Sequence, residues 1–349
     1  AGHGLVERQQ AQALLLDLDR NDWSGPLLDW SGVERGRLGR VAPAGTVLGP
    51  VNPATAAAMG LPSGVRVVVG GHDQCCNALG CGCVEAGRAA CGIGTFECIT
   101  PVYARPRNPL DVRSLGLNIE HHALPGLFVS FVFNQAGTLV KWFRETFAKA
   151  DRVPDGDDIH ALLNREMGDE PTNLLVLPHF ETPVSPRLIA DSSGAIVGLR
   201  ASTTRGEILK AILECETLYF VDSIDALKRL GADTREFVVS GGGAKSDAWL
   251  QIKADIFGVP YLRPRITEAS ALGAAMIAGL ATGAFASPRE AADCFVHTDR
   301  IFEPDARRHE RYREKLELYR RLYPALREIS CGLGGRGGAV YHVTNLNDS

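Results

Sequence analysis

The chain has 349 residues, of which 45% are apolar and 22% charged, and its formal net charge at pH 7 is −4. This length predicts about two domains and enough chain for a sizeable core. The ordinary composition excludes a disordered, collagen-like or coiled-coil protein. The slight acidity excludes a basic surface field that would capture nucleic acid or an anionic membrane.

Cysteine usage and the N-terminal sequence indicate a cytoplasmic protein. Nine cysteines are an odd number in a long chain, and no basic-then-apolar signal segment opens the sequence, so we expect reduced thiols. Residues 269–288 carry no charge and are about long enough to cross a bilayer, but most of them are small or hydroxylated. We therefore expect a buried, closely packed helix there.

In the first half of the chain, periodicity predicts a helix over residues 1–20 and a buried strand over Val65–Gly70. Residues 89–104 and 127–133 also have the pattern of strands, and residues 138–148 that of a helix.

In the second half, Thr204 and Glu207 fit a capping box that begins a helix ending at Gly231. At 1.5 Å per residue this helix would be about 40 Å long. We expect a further strand, two helices and a flexible tail at Glu236–Ser240, Ser246–Phe257, Arg307–Leu326 and 331–349. Strands that alternate with helices predict the α/β class.

The first candidate site follows the strand that ends in Gly70 and Gly71, where His72 and Asp73 come next. Strand ends in α/β folds are where ligands bind, and glycines allow close approach to the backbone. An Asp at this point can accept a proton from an alcohol or help to hold Mg²⁺. An equally supported alternative is that Asp73 caps the following helix.

Two further glycine segments could hold phosphate. In Gly92-Ile93-Gly94-Thr95, backbone amides and a hydroxyl could face a phosphate, or the glycines could form a hairpin bend. In residues 238–246, a strand, three glycines and a helix start suit a nucleotide, although a tight turn that serves packing is equally compatible. Residues 238–246 match neither a P-loop nor a dinucleotide fingerprint.

One histidine and four cysteines lie close together in the sequence: His72, Cys75, Cys76, Cys81 and Cys83. Their spacing is not that of a paired Cys-x-x-Cys zinc site. We expect small buried thiols packed around a loop and a helix start.

Taken together, these segments resemble the FGGY family of carbohydrate kinases over residues 10–330. The most specific match is Gly194–Leu199 followed by Glu207-Ile208 and by residues 211–214, which resembles the family's second signature. The other matching segments lie in the expected order around it: 70–74, 92–95, 241–246 and 268–275.

The resemblance implies an actin-like, ribonuclease-H-like ATPase fold of the α/β class, with one complete lobe and a remnant of the other. Residues 1–82 would be the remnant of the sugar-binding lobe, which carries Asp73. Residues 83–330 would be the nucleotide-binding lobe, and residues 331–349 a flexible tail.

The resemblance also implies the site residues, with ATP and Mg²⁺ as cofactors. Asp73 would be the catalytic base and would help to hold Mg²⁺ through the phosphates. The nucleotide would be bound by Gly94, Thr95, Gly137, Lys141, Gly242, Gly243 and Ser246. Gln is common in the family at the position of Lys141.

One family feature is missing from this sequence. Family members begin with an Asp-x-Gly-Thr phosphate loop, and no Asp here is followed by x-Gly-Thr. We therefore expect a truncated kinase with impaired activity and exposed apolar surface, either a homodimer or the partner of a missing lobe. The alternative is a non-catalytic ATP-binding module that acts as a scaffold or regulator.

Overall fold

The computed structural model describes residues 5–7, 15–105, 108–149, 151, 159–183, 185–190 and 192–333. The strands within these ranges are β1 (Leu5–Glu7), β2 (Leu16–Asp17), β3 (Asp22–Trp23), β4 (Arg40–Ala42), β5 (Val47–Pro50), β6 (Arg66–Val68), β7 (Arg88–Ile93), β8 (Phe96–Ala104), β9 (Glu120–His121), β10 (Leu127–Val129), β11 (Val132–Gln135), β12 (Leu175–Leu177), β13 (Ala195–Val197), β14 (Glu236–Ser240), β15 (Tyr261–Pro264) and β16 (Thr298–Phe302).

The helices of the same residues are α1 (Gly25–Ser31), α2 (Pro53–Ala58), α3 (Asp73–Gly80), α4 (Pro109–Ser114), α5 (Gly137–Phe147), α6 (Ile159–Arg165), α7 (Arg205–Arg229), α8 (Asp247–Phe257), α9 (Ala269–Thr282), α10 (Pro288–Phe295), α11 (Ala306–Arg320) and α12 (Leu322–Leu333). Strands and helices alternate along much of the chain, which confirms the α/β class.

An eight-stranded mixed sheet forms the centre of the fold. Its main path runs β16-β15-β14-β7-β8-β10-β9, and β11 also pairs with β8. The central strand β14 lies parallel to both β15 and β7, whereas β7 and β8 form an antiparallel hairpin. The carboxyl ends of β7 and β14 therefore meet at one edge of the sheet.

Both faces of this sheet are buried. Along β14, Phe237 and Val239 belong to a core cluster with α7 and α8, whereas Val238 points into a second cluster with α3 and α9. Side chains alternate between the two faces of a strand, so the run of apolar residues in β14 reflects helices on both sides.

Helices α3 and α9 cross at unusually short distance because glycines form the crossing. A Cβ on Gly80 would lie 1.9 Å from the carbonyl oxygen of Ala269, and a Cβ on Gly273 would lie 1.9 Å from that of Cys76. Only glycine fits at such a backbone-to-backbone contact. This crossing fixes the helix that begins with Asp73 against the start of α9.

The long helix and its cap are as the sequence predicts. In α7, Thr204 accepts from the amide of Glu207, and the Glu207 carboxylate accepts from the amide of Thr204. The pattern predicted for residues 89–104 is also confirmed, as the β7–β8 hairpin with its turn at Gly94 and Thr95.

Two predictions in the first part of the chain are wrong. Residues 5–7 and 16–17 form strands, so within the described residues the predicted helix over residues 1–20 is not formed. The predicted buried strand at Val65–Gly70 is the short, mostly exposed β6, with Val67 41% exposed. In the sheets of the described chain β6 pairs only with β5, and of its three residues only Val68 packs against a core cluster.

Two predictions in the last part need adjustment. The predicted helix at Arg307–Leu326 is divided into α11 and α12. Pro324 lies in the first turn of α12, where a backbone amide would have no partner within the helix, so its lack of an N–H costs no hydrogen bond. Helix α12 continues to Leu333, past the predicted start of the tail at residue 331, and residues 334–349 lie outside the described ranges.

The uncharged stretch at residues 269–288 contains the 14-residue helix α9, packed against α3. Among the described residues, no helix has both the length and the apolar character that crossing a membrane requires.

Candidate active site

A cavity of about 540 Å³ opens where β7 and β14 end. This volume lies in the usual range for small-molecule sites, about 300–1,000 Å³. All seven residues that the sequence indicates for nucleotide binding line it: Gly94, Thr95, Gly137, Lys141, Gly242, Gly243 and Ser246. The other residues that line the cavity include Arg144, Leu163, Asn164, Leu209, Leu213, Lys245 and Trp249.

One wall of the cavity is the turn between β7 and β8. The Gly94 amide donates to the carbonyl of Phe96 at 2.9 Å, so this segment is a hairpin bend. The Gly137 amide, which begins α5, donates to the Gly94 carbonyl at 3.1 Å. A Cβ on Gly137 would lie 2.4 Å from that oxygen, so only glycine brings the helix start this close to the turn.

The opposite wall is the glycine loop after β14. Gly241 has a φ of +80°, and a Cβ there would lie 2.7 Å from the carbonyl oxygen of Ile93. A Cβ on Gly243 would lie 2.2 Å from the Ile93 side chain, whereas Gly242 has open space beside it. The glycines therefore let the loop lie directly against the end of β7 and leave Gly242 facing open space.

Helix α8 begins at this loop. The Ser246 hydroxyl accepts from the amide of Trp249 at 3.3 Å and so caps the helix. The amide end of a helix carries partial positive charge, which favours an anion. Three cationic side chains line the same cavity, Lys141, Arg144 and Lys245. The cavity is thus electrostatically suited to phosphate.

Buried ionisable side chains lie next to one of the residues that line the cavity, Trp249. Trp249 lines the cavity, and the Lys253 ammonium lies 4.9 Å from the centre of its ring. Lys253 donates to both carboxylate oxygens of Glu97, at 2.6 and 2.7 Å, and neither side chain is exposed. Burial, and then the nearby charge of Glu97, raise the pKa of Glu216 well above its ordinary value.

Asp73 does not line the cavity but begins helix α3 with an exposed carboxylate. Its side chain is 72% exposed. Oδ1 accepts from the Gln74 amide at 2.8 Å and lies 3.2 Å from Nε2 of His72. The capping position itself is His72. Asp73 thus contacts the first turn of its own helix and still presents its carboxylate to solvent.

The start of α9 connects Asp73 with the glycine loop. The Gly241 amide donates to the carbonyl of Thr267 at 3.0 Å. Three residues later, the Ser270 hydroxyl donates to the Asp73 carbonyl at 3.2 Å. Asp73 and the loop therefore lie on either side of one helix start, outside the packed core.

The residues of the cavity are compatible with ATP and Mg²⁺. Glycines leave room that a Cβ would fill, and amides and cations face the space. No Asp or Glu occurs among the described residues that line it. Mg²⁺ is usually held by substrate phosphates and one or two carboxylates, and the assignment of that role to Asp73 stays a prediction.

Sequence reasoning missed several residues of the cavity. Trp249 lies on α8 one turn after Ser246, and Arg144 lies on α5 one turn after Lys141, so helical spacing could have indicated both. Asn164 comes from α6, and no sequence signal links it to the glycine segments.

The expected buried thiols are confirmed, because Cys75, Cys76, Cys81 and Cys83 pack into the core cluster around α3.

Comparison with known families supports these observations. The model of the "FGGY family of carbohydrate kinases, C-terminal domain" matches residues 89–282, and that of the N-terminal domain matches residues 7–80. Both domains of the family are thus represented in the chain. The proposed domain limits at residues 82 and 330 stay predictions.

Relatives with curated names are similar over most of this chain. The chain is 28% identical over 334 residues to the xylulose kinase of Bacillus subtilis, which covers 95% of this chain and 66% of that protein. It is 29% identical over 323 residues to the autoinducer-2 kinase of Escherichia coli K12, covering 88% and 59% respectively. The chain therefore spans less than two thirds of the length of these relatives.

Solved structures share the fold. The xylulose kinase of Rhodospirillum rubrum superposes with a TM-score of 0.81 at 26% identity, over 93% of this chain and 65% of that one. Plasmodium falciparum glycerol kinase with ADP gives a TM-score of 0.76 at 18% identity, over 93% and 63%. The fold is the actin-like ATPase fold that the resemblance implies.

Proposed function

This chain belongs to the FGGY family of carbohydrate kinases, and we propose that it serves the ATP-dependent phosphorylation of a sugar or polyol hydroxyl. The observation that carries the proposal is the cavity at the ends of β7 and β14. Three glycine segments far apart in the sequence meet there, next to a helix start that carries an exposed aspartate. Carboxylate, cations and free amides are what phosphoryl transfer requires of a protein.

Asp73 is proposed as the catalytic base. As the acceptor hydroxyl attacks the γ-phosphorus, its proton passes to the Asp73 carboxylate, while the bond from the γ-phosphorus to the bridging oxygen breaks and ADP leaves. The exposed position of the carboxylate allows an acceptor hydroxyl to reach it. Bound Mg²⁺ supplies charge neutralisation of the phosphates.

The walls of the cavity are proposed to hold the nucleotide. Gly94 and Thr95 in the hairpin turn face the terminal phosphates, and Gly137 and Lys141 at the start of α5 lie beside them. The adenosine lies along the glycine loop, with contacts from the residues Gly242, Gly243 and Ser246. Fixed amides and cations of this kind stabilise charge without reorganising during the reaction.

The names of the relatives favour a ketose such as xylulose as the acceptor. We propose a cytoplasmic location, which agrees with the eight cysteines whose side chains the structure describes being free thiols, seven of them buried.

Either a second copy or a separate N-terminal lobe is proposed as a partner. Large apolar side chains are exposed in the first part of the chain, with Trp30 at 66% and Met59 at 67%. Apolar surface of this kind is typical of a protein interface.

Two measurements test the proposal. Calorimetry with ATP and Mg²⁺ should show binding that Gly242→Asp abolishes, since Gly242 has open space beside it and this change places a negative charge at the cavity wall. A coupled assay of ADP formation with a panel of pentoses and polyols then tests transfer, and Asp73→Asn should lower turnover by about 10²–10⁴-fold.

The outcomes separate the alternatives. Binding of ATP without transfer to any acceptor favours the non-catalytic module. Ordinary turnover contradicts the expectation of impaired activity, and unaltered turnover in Asp73→Asn removes Asp73 from the reaction.

A further inference from the structure

Three metal-binding side chains meet beside the start of α3. His72 directly precedes α3, Cys75 lies on α3, and Glu120 comes from the edge strand β9. One nitrogen, one sulfur and one oxygen, from His72, Cys75 and Glu120 respectively, all lie within 4.8 Å of one another. The sequence places Glu120 far from the other two, so only the packing of β9 against α3 reveals the set.

The distances suit a tetrahedral cation after small side-chain rotations. With bonds of about 2.0–2.3 Å, ligand atoms around tetrahedral zinc lie roughly 3.3–3.7 Å apart. Nδ1 of His72 and Oε2 of Glu120 are already 3.7 Å apart. Cys75 is fully buried, and the partly exposed His72 ring offers access from solvent.

The surroundings hold two of the three ligands in place. The Glu120 Oε1 atom accepts from the side-chain amide of Asn118 at 2.9 Å. Asn118 is itself fixed, because its Oδ1 accepts from the Phe131 amide at 2.7 Å. The Phe131 ring packs edge-on against the His72 ring, with centroids 5.1 Å apart. Oriented ligands of this kind are typical of metal sites.

The second nitrogen of His72 completes the pattern. Nε2 lies 3.2 Å from Oδ1 of Asp73, on the other side of the ring from Glu120. A metal-bound histidine almost always donates its remaining N–H to a carboxylate, a backbone carbonyl or water. With Nδ1 on a cation, His72 would therefore donate from Nε2 to Asp73.

We propose that His72, Cys75 and Glu120 bind one thiophilic divalent cation of the Zn²⁺ type, with Asp73 as the outer carboxylate that receives the His72 N–H. On binding, the Cys75 thiol releases its proton to solvent and coordinates as the thiolate. A bound cation thus ties the proposed catalytic carboxylate to His72. The competing interpretation is an ordinary His72–Glu120 contact beside a buried thiol.

The test is metal binding by the intact chain, so it does not depend on kinase activity. Zn²⁺ affinity is measured in competition with a chromophoric chelator, and Co²⁺ replaces Zn²⁺ to report thiolate coordination by its charge-transfer absorption. We expect one Zn²⁺ per chain, and at least tenfold weaker binding in both Cys75→Ser and Glu120→Gln. Loss of the outer carboxylate in Asp73→Asn should weaken binding about tenfold.

Two matched cysteine variants serve as controls. Cys76→Ser makes the same change in the next residue, outside the donor set, and Cys294→Ser removes an exposed thiol, at which a metal would bind adventitiously. Both should bind like the unchanged chain. If Cys75→Ser folds, as circular dichroism would report, and keeps the affinity or the charge-transfer absorption, the proposal is wrong. If Cys75→Ser does not fold, Glu120→Gln decides, and unchanged affinity in Glu120→Gln overturns the site.

Discussion

Asn77 in α3 accepts a hydrogen bond through Oδ1 from the Ser240 hydroxyl at 2.7 Å, and both side chains are buried. Ser240 is the last residue of β14, directly before the glycine loop. Asn77 lies one helical turn after Asp73, about 6 Å along the axis. This bond therefore couples the helix of the proposed base to the loop proposed to hold the nucleotide.

Removing either partner of this bond should cost stability. We expect Asn77→Ala and Ser240→Ala each to lower the free energy of unfolding by about 1–3 kcal/mol, because a buried polar group loses its partner. Urea unfolding of both single variants and the double variant gives the coupling between them. We expect a coupling of about 1 kcal/mol; additive effects would show that the bond does not join the two elements.

Single and double substitutions in the buried pair Lys253–Glu97 should have different effects on the free energy of unfolding. Lys253→Met or Glu97→Leu alone should lower the free energy of unfolding by about 3–5 kcal/mol, because each leaves a buried charge unpaired. The double variant should be more stable than either single one, as measured by urea unfolding. The exposed pair Lys228–Asp233 is the control, and Lys228→Ala should change stability by less than about 1 kcal/mol.

We expect ATP binding to depend on the close packing of α5 against the turn between β7 and β8. In Gly137→Ala, the added methyl would lie 2.4 Å from the Gly94 carbonyl oxygen and must displace the turn. We expect a loss of about 1–3 kcal/mol in stability and at least tenfold weaker ATP binding by calorimetry. The control is Gly168→Ala, where no atom lies within 4 Å of the added methyl. Equal ATP affinity in the two variants would contradict the proposed wall.

A buried histidine should make the protein sensitive to acid. Burial lowers the pKa of His122 from 6.5 to about 4, and its Nδ1 accepts from the Leu124 amide at 3.0 Å. The unfolded chain binds this proton more readily, so the stabilisation is complete above pH 6.5 and is lost as the pH falls towards 4. The full loss is roughly 3 kcal/mol.

The check is the free energy of unfolding measured between pH 7 and pH 4. His122→Asn keeps an acceptor for the Leu124 amide but cannot titrate, so its stability should fall less steeply in acid. Burial also lowers the pKa of His179 to about 4, so part of the slope should remain. Equal slopes in His122→Asn and in the unchanged chain would show that His122 does not contribute.

Local sequence determined much of the chemistry and several elements. The alternation of apolar and β-branched residues marks β14, the Thr204–Glu207 capping box marks the start of α7, and glycines mark the turns. These signals are local because capping and turn geometry involve residues only a few positions apart. The ordered glycine segments also carried the family resemblance.

Only the tertiary structure decided which of these segments meet. Val65–Gly70 has the composition of a buried strand, yet β6 is mostly exposed because burial depends on what packs over a strand. The bond from Ser240 to Asn77, the buried contact of Lys253 with Glu97, and the approach of Glu120 to His72 all join distant parts of the chain. Sequence patterns report a residue's own element, whereas these contacts arise from how sheets and helices stack, and that stacking places an exposed aspartate beside a glycine-walled cavity.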